Sequence, residues 1–230
     1  MDDRFEDISI PTYVINLKER TDRLAHIIEQ FYNKPEFDLH IIEACKHDVG
    51  ALGLWESIVK IIKEVKEGED DVIIICEDDH IFTEHYNKQY LMQNIIDAAG
   101  QGVELLSGGI GGFNNAVPIT ENRYWIDSFW STQFIVLYRS IFKKILDEEF
   151  QNSDTADGTF SELTSQKMVL YPFISIQYDS GYSDVTNSND KVKGLVTRLF
   201  EDSDKKMNIY HQAYLKYLSK KTDADAEKLK

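Results

Sequence analysis

An α/β fold, with a mostly parallel central sheet flanked by helices, is predicted from two observations. Strand-like and helix-like hydrophobic patterns alternate through the first half of the chain. The run Val72-Ile73-Ile74-Ile75-Cys76 is continuously apolar and rich in β-branched residues, as expected of a strand covered on both faces. Glu77, Asp78 and Asp79 follow it directly. Such a sheet binds ligands outside the carboxyl ends of its strands, so these three carboxylates stand where a ligand would. Like charges so close together need stabilising, and a divalent cation with oxygen ligands is one candidate. A solvated acidic loop is the plainer alternative in so acidic a chain.

Each element follows from its pattern. Residues 12–17 read as the first strand, and Leu24, Ile27, Ile28 and Phe31 form a helical stripe after it. Residues 39–44 read as a second strand. A helix over 51–66 places Leu54, Trp55, Ile58, Ile61, Ile62 and Val65 on one face, with Lys60, Lys63, Glu64 and Glu67 toward water. Gly68 and the acidic turn of Glu69, Asp70 and Asp71 lead into 72–76. This order implies right-handed crossovers and parallel strands. A helix over 86–99 ends near Gly100, and 103–106 is the next strand. The glycine-rich run 107–112 reads as a flexible loop permitting a tight turn or close ligand approach. Residues 134–138 form a strand, and Ser140 is placed to cap a helix over 141–149. Beyond Phe150 the alternation fades: 151–159 is polar, 168–171 is a short strand, 180–193 is irregular, and a helix spans 207–218. One domain over 1–220 is expected, with a charged, frayed tail at 221–230.

Composition narrows the function. The chain has 230 residues, 42% hydrophobic and 12% aromatic, enough for one substantial core. A net charge of −15 opposes non-specific nucleic-acid binding and a polybasic membrane anchor. The two cysteines, Cys45 and Cys76, adjoin apolar runs and read as small core residues, not a disulfide framework. The N-terminus lacks signal-peptide character, and no stretch approaches the roughly 20 apolar residues that span a bilayer. A cytoplasmic protein is expected, with peripheral membrane contact left open.

The segment 14–23 joins the first strand to the first helix, where helix N–H groups can meet an anion. Asn16, Leu17, Arg20 and Arg23 are its donor-binding candidates. The two guanidiniums are fork-shaped donors for a phosphate, or surface partners of Glu19 and Asp22. Neither the phosphate-loop pattern of nucleoside triphosphatases nor the dinucleotide fingerprint is present. A receiver-type phosphoacceptor domain or a haloacid-type phosphatase would need acids after the first strand, which here ends in Asn-Leu-Lys.

Ile15-Asn16-Leu17 with Arg20 and Arg23, then Gly50-Ala51-Leu52-Gly53 with Ser57, then Glu77-Asp78-Asp79, resemble in order and spacing the motifs of glycosyltransferase family 25. That family includes lipooligosaccharide and lipopolysaccharide glycosyltransferases. The segment 134–146 resembles a further family segment. Asp157, a short helix, Pro172 and Gln177 are similar to its variable C-terminal part. Leu54 and Ile58 depart from the family's Cys and His, marking a divergent member.

The resemblance implies a GT-A-type, Rossmann-like fold. It implies a nucleotide-sugar donor, UDP-sugars favoured and galactose among the sugars allowed, and a glycan or lipid-linked saccharide acceptor. It also implies Mn²⁺ or Mg²⁺ held by the carboxylates, and an inverting reaction in surface-polysaccharide or lipopolysaccharide synthesis. On this reading Asp79 is the metal ligand with Glu77 as alternate, and Asp78 faces the donor. His80 is an outlying candidate. Asp157 or Glu162 is the catalytic base, with Asp127 a third option and a helix N-cap the plainer role for Asp157. Tyr124, Trp125 and Trp130 are candidates for sugar stacking, and 177–184 for a lid. The alternative is a non-catalytic nucleotide-sugar or glycan-binding protein of the same fold.

Overall fold

The computed structural model describes residues 5–178 and 194–228, with 222–228 as backbone. Strand β1 (Ile10–Asn16) and β2 (Phe37–Glu43) pair in parallel, in register from Ile10 opposite Phe37 to Asn16 opposite Glu43. The crossover between them is α1 (Thr21–Phe31), which buries Ile27 and Phe31. After β2 the chain returns through α2 (Gly50–Val65) to β3 (Val72–Glu77), parallel to β1 on its other side. Six residues predicted to line the buried face of α2, from Leu54 to Val65, are all buried.

β3 explains its own composition. Ile73 and Ile75 pack on one face of the sheet with Leu54, Ile58, Ile61 and Ile62 of α2. Ile74 and Cys76 pack on the other with Ile27 and Phe31 of α1. A strand with helices on both sides has no polar face.

Beyond β3 come β4 (His80–Phe82), α3 (Lys88–Gly100) and β5 (Leu105–Ser107). The side chain of Asn87 caps α3 by accepting from Tyr90 N. Then follow β6 (Gly112–Phe113), β7 (Ala116–Pro118), β8 (Arg123–Ile126), β9 (Phe129–Trp130) and β10 (Phe134–Tyr138). Helices α4 (Arg139–Asp147) and α5 (Ala156–Leu163), strands β11 (Lys167–Leu170) and β12 (Ser175–Gln177), and α6 (Leu195–Lys228) complete the order.

Eight strands form the central sheet in the order β2-β1-β3-β10-β5-β11-β8-β7. β10 enters antiparallel between β3 and β5, and β8 is antiparallel to both its neighbours; the other six strands share one direction. The mainly parallel, helix-flanked sheet of the α/β fold expected from the sequence is therefore the architecture found. α2, α4, α5 and the first half of α6 cover one face, and α1 and α3 cover the other. Two-stranded sheets β4–β12 and β6–β9 lie outside it.

Four expectations need correcting. The glycine-rich run after β5 is buried throughout and is no flexible loop. A Cβ on Gly109 would lie 2.0 Å from Ser175 O, and one on Gly112 would lie 1.7 Å from the Trp130 ring, so its glycines permit close packing within the protein. Ser140 caps nothing, because α4 begins one residue earlier at Arg139. The Arg139 guanidinium instead donates to Lys66 O, Gly68 O and Asp70 O, closing the carboxyl end of α2. Helix α6 starts twelve residues before the predicted 207 and continues to Lys228, through most of the segment expected to fray. Finally, Cys76 is a core residue, but Cys45 is only half-buried and stands in the cleft described next. The irregular segment 180–193 lies outside the described residues.

Candidate functional site

β1, β2 and β3 end side by side at Asn16, Glu43 and Glu77. A cleft of ≈410 Å³ opens at these carboxyl ends, as the topology requires of a parallel sheet. Ile15, Ala44 and Leu54 give it an apolar floor. Glu19, Arg23, Lys46, His47, Asp48, Glu77 and Asp78 supply its polar wall.

Asp78 is held on both oxygens. Asn16 Nδ2 donates to Oδ2 at 2.8 Å, and Arg23 donates to Oδ1 at 3.0 Å. Asn16 Nδ2 also reaches Arg20 O at 3.3 Å, which ties the acidic turn to the entry of α1. Three predicted donor-binding residues thus meet, as a hydrogen-bonded group in which Asn16 and Arg23 organise Asp78. Arg23 and Asp78 are both about nine-tenths buried, so the pair is sheltered from solvent screening. Arg20 adopts the surface alternative, with its guanidinium on Asp22 at 3.2 Å. Leu17 lines the cleft.

Asp79 is 5% exposed, about as buried as Asp78. Its Oδ2 accepts from Gln177 Nε2 at 2.8 Å and lies 3.8 Å from Arg23. Its Oδ1 is buried with no hydrogen-bond partner among the described residues, a costly state for an anionic oxygen. Glu77 Oε1 accepts from Thr132 Oγ1 at 2.7 Å. Burial first, and then the charge of Asp79, pushes the Glu77 carboxyl above the usual range, against the pull of Thr132. Burial first, and then the charge of Asp78, raises Asp79, against the pull of Arg23 and Gln177. Both carboxyls therefore favour gaining positive charge, as a proton or a cation.

Among the described residues no group of three or more His, Cys, Asp or Glu side chains is arranged to hold a metal ion. Glu77 and Asp79 offer two carboxylates, one with an unpartnered oxygen. That donor set fits a hard cation completing its shell with water and phosphate oxygens, the usual habit of Mg²⁺ in phosphate sites. His80 is not part of it: its ring is fully buried, Nδ1 lies 2.8 Å from Ser175 Oγ, and burial holds it well below its ordinary value.

Asp157 comes to the acidic turn from the far half of the chain. Its Oδ2 accepts from Ser131 N at 2.9 Å, one residue before the threonine that holds Glu77. The negative charge of Asp157 is itself among the influences raising Glu77. The N-cap of α5 is Thr155, not Asp157. Glu162 is exposed on the same helix, about 140° round its axis from position 157. Asp127 is bound to Asn115 in the β7–β8 region. Of the predicted lid, Gln177 and Tyr178 are described, while 179–184 lie outside the described residues.

The loop 44–48 was not singled out from the sequence, yet it forms one side of the cleft. Its position depends on the glycine-led motif at the start of α2. A Cβ on Gly53 would lie 2.5 Å from Cys45 O, so only glycine allows the loop to lie against the helix. Ser57 Oγ accepts from Cys45 N at 2.8 Å and donates to Gly53 O at 2.6 Å. The signal was available in topology, since the segment after β2 must lie at the ligand-binding edge.

No protein-family profile matches the chain, and no curated protein is recognisably similar in sequence. Among solved structures it is similar to A197 from STIV, with 12% identity over 77% of this chain and 87% of that one and a TM-score of 0.52. It also shows likeness to an apo-UDP-glucose pyrophosphorylase (10% identity, 89% of this chain, 82% of that one, TM-score 0.47). A glycosyltransferase involved in glycosylation of the major capsid of PBCV-1 gives 12% identity, 60% of this chain, 63% of that one and a TM-score of 0.38. The first likeness concerns the fold alone, and the scores of the other two carry no argument. No helix among the described residues is long and apolar enough to cross a membrane.

Proposed function

We propose that the chain is a metal-dependent glycosyltransferase, a divergent relative of family 25. It moves a sugar from a nucleotide-sugar donor, UDP-sugars favoured, to a hydroxyl of a glycan or lipid-linked saccharide in surface-polysaccharide or lipopolysaccharide synthesis. The observation that carries this reading is the acidic turn Glu77–Asp79, set at the carboxyl end of β3 beside the ≈410 Å³ cleft. The motif resemblance supports it.

The geometry supports the following roles. The nucleoside lies on Ile15, Ala44 and Leu54, within a wall whose cations are Arg23 and Lys46. Asn16 and Arg23 fix Asp78, so the acidic turn is preorganised before the donor arrives. Glu77 and Asp79 are the residues that would hold Mn²⁺ or Mg²⁺; the bound ion supplies positive charge that offsets the charge developing on the leaving diphosphate. In an inverting transfer the acceptor oxygen bonds to the anomeric carbon as the bond to phosphate breaks. Asp157 takes the hydroxyl proton.

Calorimetric titration of UDP tests the reading. Mn²⁺ is expected to tighten UDP binding, and Asp79→Ala to abolish that gain; an unchanged gain in the variant removes Asp79 from the metal site. Sugar release from a panel of UDP-sugars separates a transferase from a binding protein. Asp157→Asn is expected to lower turnover by about 10²-fold or more while UDP affinity holds.

A further inference from the structure

Three aromatic rings were candidates for stacking on a sugar, and the structure distinguishes them. Tyr124 is fully buried, with its hydroxyl 2.9 Å from His211 Nδ1. Trp125 commits its indole N–H to Ser165 O at 2.7 Å. Trp130 is 50% exposed although it pairs within a sheet.

The Trp130 ring rests where Gly112 has no side chain: a Cβ there would lie 1.7 Å from its Cε3 and 2.1 Å from its Cζ3. Its backbone is tied down as well, because Trp130 O accepts from Gly111 N at 2.8 Å. The amide joining Trp130 to Ser131 is the group that Asp157 Oδ2 holds. Ser131 has φ 82°, a left-handed conformation that serine rarely adopts, and such strain persists where the surroundings impose it. The next residue, Thr132, is 6% exposed and donates to Glu77. An exposed ring, a half-buried carboxylate and the acidic turn are thus strung together by three consecutive residues.

We propose that Trp130 and Asp157 form the acceptor subsite, which takes a pyranose. This rests on the glycosyltransferase reading and adds to it where the acceptor sits. A pyranose has an apolar C–H face and a rim of hydroxyls. The indole receives the face, and Asp157 receives a hydroxyl. Thr132 fixes this subsite relative to Glu77, so that a hydroxyl at Asp157 is turned toward the donor end of the site.

The test reads the indole N–H resonances of the three tryptophans in the full chain. Trp55 is buried and stacked on Phe150, and Trp125 is hydrogen-bonded, so neither should respond. The probes are the methyl glycosides of galactose and glucose, and lactose. The resonance lost in Trp130→Phe is expected to move with at least one of them and to stay in place with UDP and Mn²⁺. Gly112→Ala, which forces the ring off its seat, is expected to weaken that response roughly three- to tenfold. If UDP binds with Mn²⁺ and no probe moves the Trp130 resonance, the acceptor subsite is wrong and the function stands. If UDP fails to bind with or without Mn²⁺, the glycosyltransferase reading fails whatever the indole does.

Discussion

Asp78 is the most constrained carboxylate in the cleft, since Asn16 and Arg23 between them occupy both its oxygens. Removing it takes from the sheltered Arg23 guanidinium a carboxylate that lies 3.0 Å away. Asp78→Ala is expected to cost about 3 kcal/mol in urea unfolding, less if Arg23 closes on Asp79, whose Oδ2 lies 3.8 Å away. Glu77 and Asp79 predict a pH effect of the opposite kind. Their folded-state pKa values lie above the unfolded ones, so between the ordinary carboxylate range and neutrality the folded metal-free protein binds more protons. Stability contributed by the pair is therefore present at low pH and lost as pH rises through that window. Glu77→Gln keeps an acceptor for Thr132 and removes the charge. Its urea midpoint without metal should gain on the wild type as pH rises; a constant difference would contradict the assignment. Much of this residue set was readable, because Asn16 and the triplet mark the carboxyl ends of β1 and β3, and Arg23 lies in the first turn of the helix that follows β1. The pairing of Asn16 and Arg23 with Asp78 was not, since it depends on how closely β1 and β3 lie.

At the scale of elements, α2 shows how a motif works through packing. Gly53 admits the 44–48 loop and Ser57 binds it. Gly53→Ala is expected to weaken UDP binding at least tenfold while leaving the helix intact. Ser57→Ala, which orphans Cys45 N, should cost about 1 kcal/mol of stability. Circular dichroism with calorimetry distinguishes the two. Long elements with a clear period were found from sequence to within a residue or two, β3 and α2 among them. Strands β4, β6, β9 and β12 have only two or three residues each, too few to show alternation. The start of α6 was missed although Val196, Phe200, Ser203 and Met207 are buried at helical spacing; charged residues between them conceal the stripe.

For the whole molecule, a net charge of −15 means that the folded state works against its own repulsion. Raising monovalent salt from low concentration to roughly 0.15 M shortens the Debye length to about 8 Å. The thermal midpoint is expected to rise over that range, as differential scanning calorimetry would record; a fall would mean that paired charges outweigh the net excess. The α/β class was legible because alternation along the chain dictates layers. The link from Asp157 to Glu77 through Ser131 and Thr132 was not, because it depends on where β10 inserts in the sheet.

That insertion also sets a schedule. The hydroxyl that binds Glu77 is made 55 residues after it, and β10, which covers the free edge of β3, follows at once. On a ribosome adding about 5–20 residues per second, the delay is roughly 3–11 s. For that interval the nascent chain carries an apolar strand with one edge unpaired, and a chaperone that shields such edges would act on it before residue 138 emerges.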